Sequence, residues 1–187
     1  RLRRKEAEKP QQTDATRRGA AALDLEVLAG SVTKVDAAPA NGSSIAFLLE
    51  HKDASVLLAA DAFPTVLSPA LQALARHRQQ PGGLSVDAIK LSHHGSKGNV
   101  TTELLKSVHA EHYIVSTNGA IFKHPDDEAI ARVVLNGGRR HNLWFNYRNE
   151  RSLRWADDSR LAQHGCRVVL PEAGHEGATL PLGNGPL

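Results

Sequence analysis

Two adjacent histidines, His93 and His94, followed by Gly95 and Ser96, are the residues in this chain best equipped for chemistry. Neutral imidazole ligates divalent metals and exchanges protons near neutral pH. The pair follows directly on the apolar run 86–91, which reads as a buried strand breaking at the glycine. A second apolar run, 55–60, ends in the carboxylate Asp61, and a third, 113–116, leads through Asn118 and Gly119 to His124 and Pro125. Three strand-like segments thus each deliver an Asp or a His near their C-terminal ends. Open α/β sheets keep their ligands at that edge, and imidazole with carboxylate is the donor set of a hydrolytic metal site.

Each of these residues also has a plainer reading. Side chains alternate across a strand, so one of His93 and His94 would ligate a metal while the other orients it or touches substrate; the assignment favours His93 as ligand. Alternatively one is a surface histidine and the other a hydrogen-bonded core residue. Gly95 permits close backbone approach, and Ser96 either bonds a phosphate or caps the next element. Asp61 is a metal ligand or the N-cap of the following helix. His124 lies at the mouth of a helix, where a phosphate oxygen would find helix amides, or it is fixed there by packing. Most of the remaining histidines fall in polar contexts and read as solvated, and Cys166 has no nearby base and reads as structural.

The elements that must carry these residues follow from pattern and turn chemistry. Strands are expected over 23–28, 43–50, 55–60, 86–91, 112–116 and 142–147, with 167–170 and 178–182 as a closing pair. Helices are expected from Ser68 to about Arg78, from Thr101 as N-cap, and over about 126–135, with Pro125 in the first turn and Gly137-Gly138 as terminator. Two adjacent strands followed by alternating helix and strand predict an α/β fold: a mixed sheet with helices on its faces.

The chain has 187 residues, enough for one domain with a sizeable core, which must be built from Ala, Leu, Val and Ile because Met is absent and aromatics are few. One cysteine excludes an internal disulfide and a cysteine-rich zinc module. No apolar run approaches spanning length and no signal-peptide pattern is present, which points to a soluble cytoplasmic protein with no membrane partner. The net charge of +3 permits a nucleic-acid partner without demanding one, and Arg139-Arg140-His141 is too short a basic run to be a signature. Residues 1–22 are charged and polar with no apolar face and read as a linker or disordered arm, leaving 23–187 as the domain. The missing initiator Met reads as a fragment, a processed product, or part of something longer.

Taken in order, Asn41-Gly42-Ser43-Ser44, Ala60-Asp61, His93-His94-Gly95-Ser96 and His124-Pro125 resemble the C-terminal half of a metallo-β-lactamase-fold hydrolase, in the branch of the competence-type DNA-uptake proteins. The similarity covers roughly residues 41–135. It implies half of an αββα sandwich and a site for two divalent metal ions, zinc or manganese. It implies that Asp61 bridges the metals, that one histidine of the His93-His94 pair binds the second, and that His124 lies by the active site as a substrate contact; with His93 as the ligand, His94 is left to act on the substrate. Ser96, Asn41 and Asn118 then belong to the substrate side; Asn41 stands where other relatives place a metal-binding histidine. The family's N-terminal half supplies a His-x-His-x-Asp-His or His-x-Asp-x-Asp-His motif, and neither occurs here. The expected partner is therefore that N-terminal half, on another chain or fragment, and this chain alone should be inactive. The resemblance favours a phosphodiester substrate, DNA or RNA. A small-molecule hydrolase of lactonase or nucleotide-phosphodiesterase type is the rival among enzymes, and a non-catalytic partner-binding module is the rival from another class.

Overall fold

A computed structural model describes residues 24–183, so the arm expected over 1–22 lies outside the described residues. Six strands form one sheet in strictly sequential order: β1 (Phe47–His51), β2 (Ala54–Leu58), β3 (Leu84–Lys90), β4 (Val108–Val115), β5 (His141–Phe145) and β6 (Cys166–Val169). β1 and β2 are an antiparallel hairpin, and every later strand runs parallel to its predecessor. The expected α/β class and mixed sheet are therefore present.

Helix α3 (Pro64–His77) connects β2 to β3, α4 (Thr102–Ser107) connects β3 to β4, and α5 (Asp127–Asn136) connects β4 to β5. Parallel crossovers are right-handed. When every crossover steps the same way along a sheet, the helices fall on one face. Consistent with this, α3 packs on α4, α4 on α5, and α1 (Leu25–Gly30) on α5. The two faces differ accordingly. Leu57, Ile89, Tyr113 and Leu143 form a registered row under the helices, each at most 2 % exposed. The adjacent row on the opposite face runs Phe47, Leu58, Lys90, Ile114, Trp144, Val169 across all six strands. Phe47 is half exposed there, and the rest are only partly covered. The chain returns over this face after β6: Gly177 N donates to Asn146 O, and a Cβ on Gly183 would lie 3.9 Å from Ala54 Cβ.

Lower in the sheet the buried positions change parity, to Val86 with Ala110 and Leu84 with Val108. The β3–β4 register passes over Asp87 and Glu111 at that point, and the Asp87 carboxylate accepts from Ser55 N and Oγ at 2.6 and 2.7 Å.

Several expected elements are corrected. In place of the strand expected over 23–28, helix α1 forms from Leu25, because the Asp24 carboxylate caps Val27 N at 3.1 Å and Leu25, Leu28 and Ala29 meet the core at helical spacing. The strand expected from 43 begins at Phe47, because Ser43 and Ser44 close the short helix α2 (Pro39–Gly42). Helix α3 starts at Pro64 rather than Ser68; Pro64 suits the first helical position. Pro125 precedes the α5 N-cap, Asp126, instead of entering the first turn. Residues 178–182 form no strand; Pro181 lacks the N–H that a ladder needs. Helix α6 (Glu150–Ala156), with its Asn149–Ser152 capping box, was not anticipated. Among the described residues no helix is long and apolar enough to cross a membrane.

Candidate functional site

β3 ends at Lys90, one fully buried leucine follows, and Ser92–Gly95 then form a single tight turn. His93, His94 and Gly95 take φ values of 46°, 56° and 84°, three consecutive left-handed residues. The strand therefore does not continue through the histidines, and side-chain alternation is not what separates them. The turn separates them: the ring centroids lie 6.3 Å apart with planes at 67°. Left-handed backbone at a non-glycine residue costs of order 1–3 kcal/mol, so the surroundings must hold it. His93 N donates to Ala60 O at 2.9 Å, Ser92 Oγ to Ala62 O at 3.0 Å, and Asp126 N to Gly95 O at 3.0 Å. Ala60 itself has φ 47°, so both strand ends that meet here carry the same strain.

His93 is surrounded on its Nδ1 side. Asp36 Oδ2 lies at 3.2 Å, Asn99 Oδ1 at 3.1 Å and Asn41 Nδ2 at 3.4 Å. Asp36 Oδ2 also accepts from Asn41 Nδ2 at 2.8 Å and Asn99 Nδ2 at 2.9 Å, and Oδ1 accepts from Ala38 N at 2.9 Å. Burial opposes the charge on Asp36, but these donors outweigh it and hold the carboxyl at about 2. His94 sets its Nδ1 2.6 Å from Ser116 O, a carbonyl acceptor at the end of β4. For neither histidine is there an Nε2 partner among the described residues. His124 stands with its ring centroid 5.2 Å from that of His93, and Phe122 stacks on its other side at 6.2 Å. Its Nδ1 is buried without a hydrogen bond, 3.6 Å from Asp126 Oδ2. Burial pushes the Asp126 carboxyl up, but the His124 ring and the Lys97 N–H bring it below its ordinary range. The α5 N-terminus that His124 precedes already holds Asp126, Asp127 and Glu128, so it does not offer the anion site expected from sequence.

Asp61 follows β2 at the same edge. The α3 N-cap is Phe63, so Asp61 is not that helix's cap. Its carboxylate has no hydrogen-bond partner among the described residues, while its carbonyl accepts from Asn99 Nδ2 at 3.3 Å. Its charge is felt by Lys90: burial lowers that ammonium's pKa, and Asp61 partly restores it. Ser96 Oγ accepts from Gly98 N at 3.2 Å, so its hydroxyl stabilises the turn. Asn118 Oδ1 accepts from Ala120 N at 2.9 Å and is likewise engaged in a turn. Thus His93, His94, His124 and Asn41 come together and Asp61 joins them through the shared Asn99, while the hydrogen bonds of Asn118 go to its own turn and to Asn149.

Asp36, Asn99 and Arg132 were missed. Arg132 is 4 % exposed and donates to Ala29 O, Ser31 O, Thr33 Oγ1, Lys97 O and Val100 O at 2.8–3.2 Å. It clamps the segment leading to Asp36 against the loop that follows the histidines. The only local signal was polarity around the His-His-Gly-Ser motif, as in Asn99 three residues beyond Ser96. Among the described residues no group of three or more His, Cys, Asp or Glu is placed to hold a metal ion. Asp61 and His93 are two donors where a zinc site takes at least three from protein, so these residues fit a part of such a site.

No family model matches the sequence, no curated protein matches it, and no solved structure matches it.

Proposed function

We propose that this chain supplies one half of a metal-dependent hydrolase, a phosphodiesterase acting on nucleic acid, with the remaining ligands contributed by a segment outside these 187 residues. The observation that carries the reading is the pair of imidazoles at the sheet's C-terminal edge, each with Nδ1 tied inward and, among the described residues, no partner on Nε2, beside the Asp61 carboxylate, which has no hydrogen-bond partner among those residues. An acceptor nitrogen and an unpaired carboxylate are what a divalent cation binds. Asp61 and His93 would hold it. Two divalent ions, zinc or manganese, would supply an activated hydroxide and neutralise developing charge when bound. His94 and His124 then face the reacting group, with His124 moving a proton, while Ser96 and Asn41 border the substrate. Asn118 is the weakest member, since its side chain serves a turn.

The resemblance to metallo-β-lactamase-fold hydrolases, carried by the four motifs, favours the same reading. So does the partly open row from Phe47 to Val169, an apolar sheet face suited to a second sheet. A cytoplasmic location accords with the one buried, free cysteine.

The test uses the protein isolated with whatever segment completes it. Elemental analysis should find two divalent metals per site, and the protein should cleave DNA or bis(4-nitrophenyl) phosphate. Asp61→Ala in that background should abolish cleavage and retain the fold. Cleavage within twofold of the parent sinks the metal role of Asp61. Lactone hydrolysis without phosphodiester cleavage moves the activity to a small-molecule hydrolase. The lack of any three-donor group among the described residues favours, as second reading, a partner-binding module; a completed protein with no metal would establish it.

A further inference from the structure

We infer that Asp36 is a positioning residue that locks His93 in the Nδ1–H tautomer, so that its Nε2 lone pair is presented to an electrophilic ligand. The inference rests on the hydrolase reading for the identity of that ligand, a divalent cation, but not for the tautomer.

Three polar atoms crowd His93 Nδ1, and their chemistry decides which nitrogen holds the proton. Asp36 Oδ2 at 3.2 Å can only accept. Asn99 has a side chain whose oxygen and nitrogen are exchangeable in principle, but its neighbours fix the orientation. Its Nδ2 meets three acceptors, Asp36 Oδ2 at 2.9 Å and the carbonyls of Asp61 and Ala62 at 3.3 Å. A flipped amide would set its oxygen against all three. Asn99 Oδ1 therefore faces His93 Nδ1 at 3.1 Å as a second acceptor. The one donor nearby, Asn41 Nδ2, is farther away at 3.4 Å and makes its shorter bond, 2.8 Å, to Asp36. One of the two Asn41 N–H groups is used on Asp36 and the other is the most distant of the three neighbours, so the two nearer acceptors favour a proton on Nδ1. In neutral imidazole that leaves Nε2 as acceptor.

Asp36 is the centre of this arrangement because it also orders both amides. It is 57 residues from His93, and its position is built: Asp36 N donates to Gly98 O at 3.1 Å, Thr33 Oγ1 to Lys97 O at 3.1 Å, and Arg132 ties both strands of that contact together. His93 lines a cavity of about 500 Å³ with Asp36, Lys34, Ser96, Lys97 and Asp126.

Nitrogen-15 NMR of the histidine side chains in the metal-free chain, at a pH where they are neutral, reads the tautomers directly. His93 and His94 should both be Nδ1–H. In Asp36→Ala, His93 should shift toward the Nε2–H form that free imidazole prefers, while His94, held by Ser116 O, stays unchanged and reports an intact fold. Asp36→Leu removes the acceptor, keeps much of the volume and serves if the alanine variant does not fold; Asp36→Asn and Asp36→Glu, which keep an acceptor oxygen, should retain much of the Nδ1–H form. An Nε2–H His93 in the parent, or an unchanged His93 in Asp36→Ala and Asp36→Leu, overturns the proposal. Zinc titration of the completed protein is the separate arm: loss of Asp36 should weaken uptake by about 10–100-fold, the range for an orienting partner of a metal-bound histidine. Parent protein with the expected tautomer but no zinc uptake keeps the role of Asp36 and removes the metal reading.

Discussion

Replacing Gly95 by alanine should test how tightly the histidine turn is held against the loop that carries His124. Two costs combine there. At φ +84° an L-residue pays about 1–2 kcal/mol relative to glycine. A Cβ at this position would also lie 2.7 Å from Pro125 Cβ and 3.4 Å from its Cα. Neither loop has slack, because Asp126 N is bonded to Gly95 O and Lys97 N to Asp126 Oδ2. Forcing an extra methyl into a packed site costs about 1–3 kcal/mol. The sum is about 2–5 kcal/mol. Gly138 provides the comparison: its φ is +97°, and a Cβ there meets nothing within 4 Å. Gly138→Ala should therefore lose only the conformational part, about 1–2 kcal/mol. Urea unfolding followed by the fluorescence of Trp144 and Trp155 measures both variants. Equal losses would mean that Pro125 yields freely, and the claim that the two loops fix one another would be wrong.

Thr101 caps α4 by accepting from Leu104 N at 3.1 Å, and Thr101→Ala should cost about 1 kcal/mol in the same assay. His141 is 2 % exposed, and burial depresses its protonation below the ordinary imidazole value of 6.5. The folded state thus binds the proton more weakly than the unfolded chain, so this contribution is complete above pH 6.5 and is lost as pH falls below it. The urea midpoint should fall between pH 7 and 5, by at most about 1.4 kcal/mol per pH unit from this group, and His141→Gln should flatten that dependence. In the completed protein His124→Ala should retain its metal and lose roughly two to four orders of magnitude in single-turnover rate; loss of one metal equivalent would make His124 a ligand instead.

Much of the sheet was legible because β3, β4 and β5 are short apolar runs bounded by turn residues. The motif histidines were legible because they follow such a run. What failed did so for identifiable reasons. Leu23, Leu25 and Val27 alternate as a strand would, while Leu25, Leu28 and Ala29 repeat as a helix would; the Asp24 cap decides between them, and periodicity alone does not. Alternation was extended one turn too far at His93 and His94, where three left-handed residues replace the strand. Asp36 had no local signature, because its meaning depends on a contact 57 residues away that Arg132 assembles from α5.

The sequential strand order has a consequence for how the chain acquires its structure. Every strand pairs with the one synthesised just before it, so no strand waits for a distant partner to emerge. Loop-closure entropy is paid in small instalments, each crossover closing over one helix. Growth from the β1–β2 hairpin toward β6 can proceed one strand at a time on the ribosome. The segment carrying Asp36 is clamped against the loop after the histidines by Arg132, so this contact is completed only when α5, the element after β4, is in place.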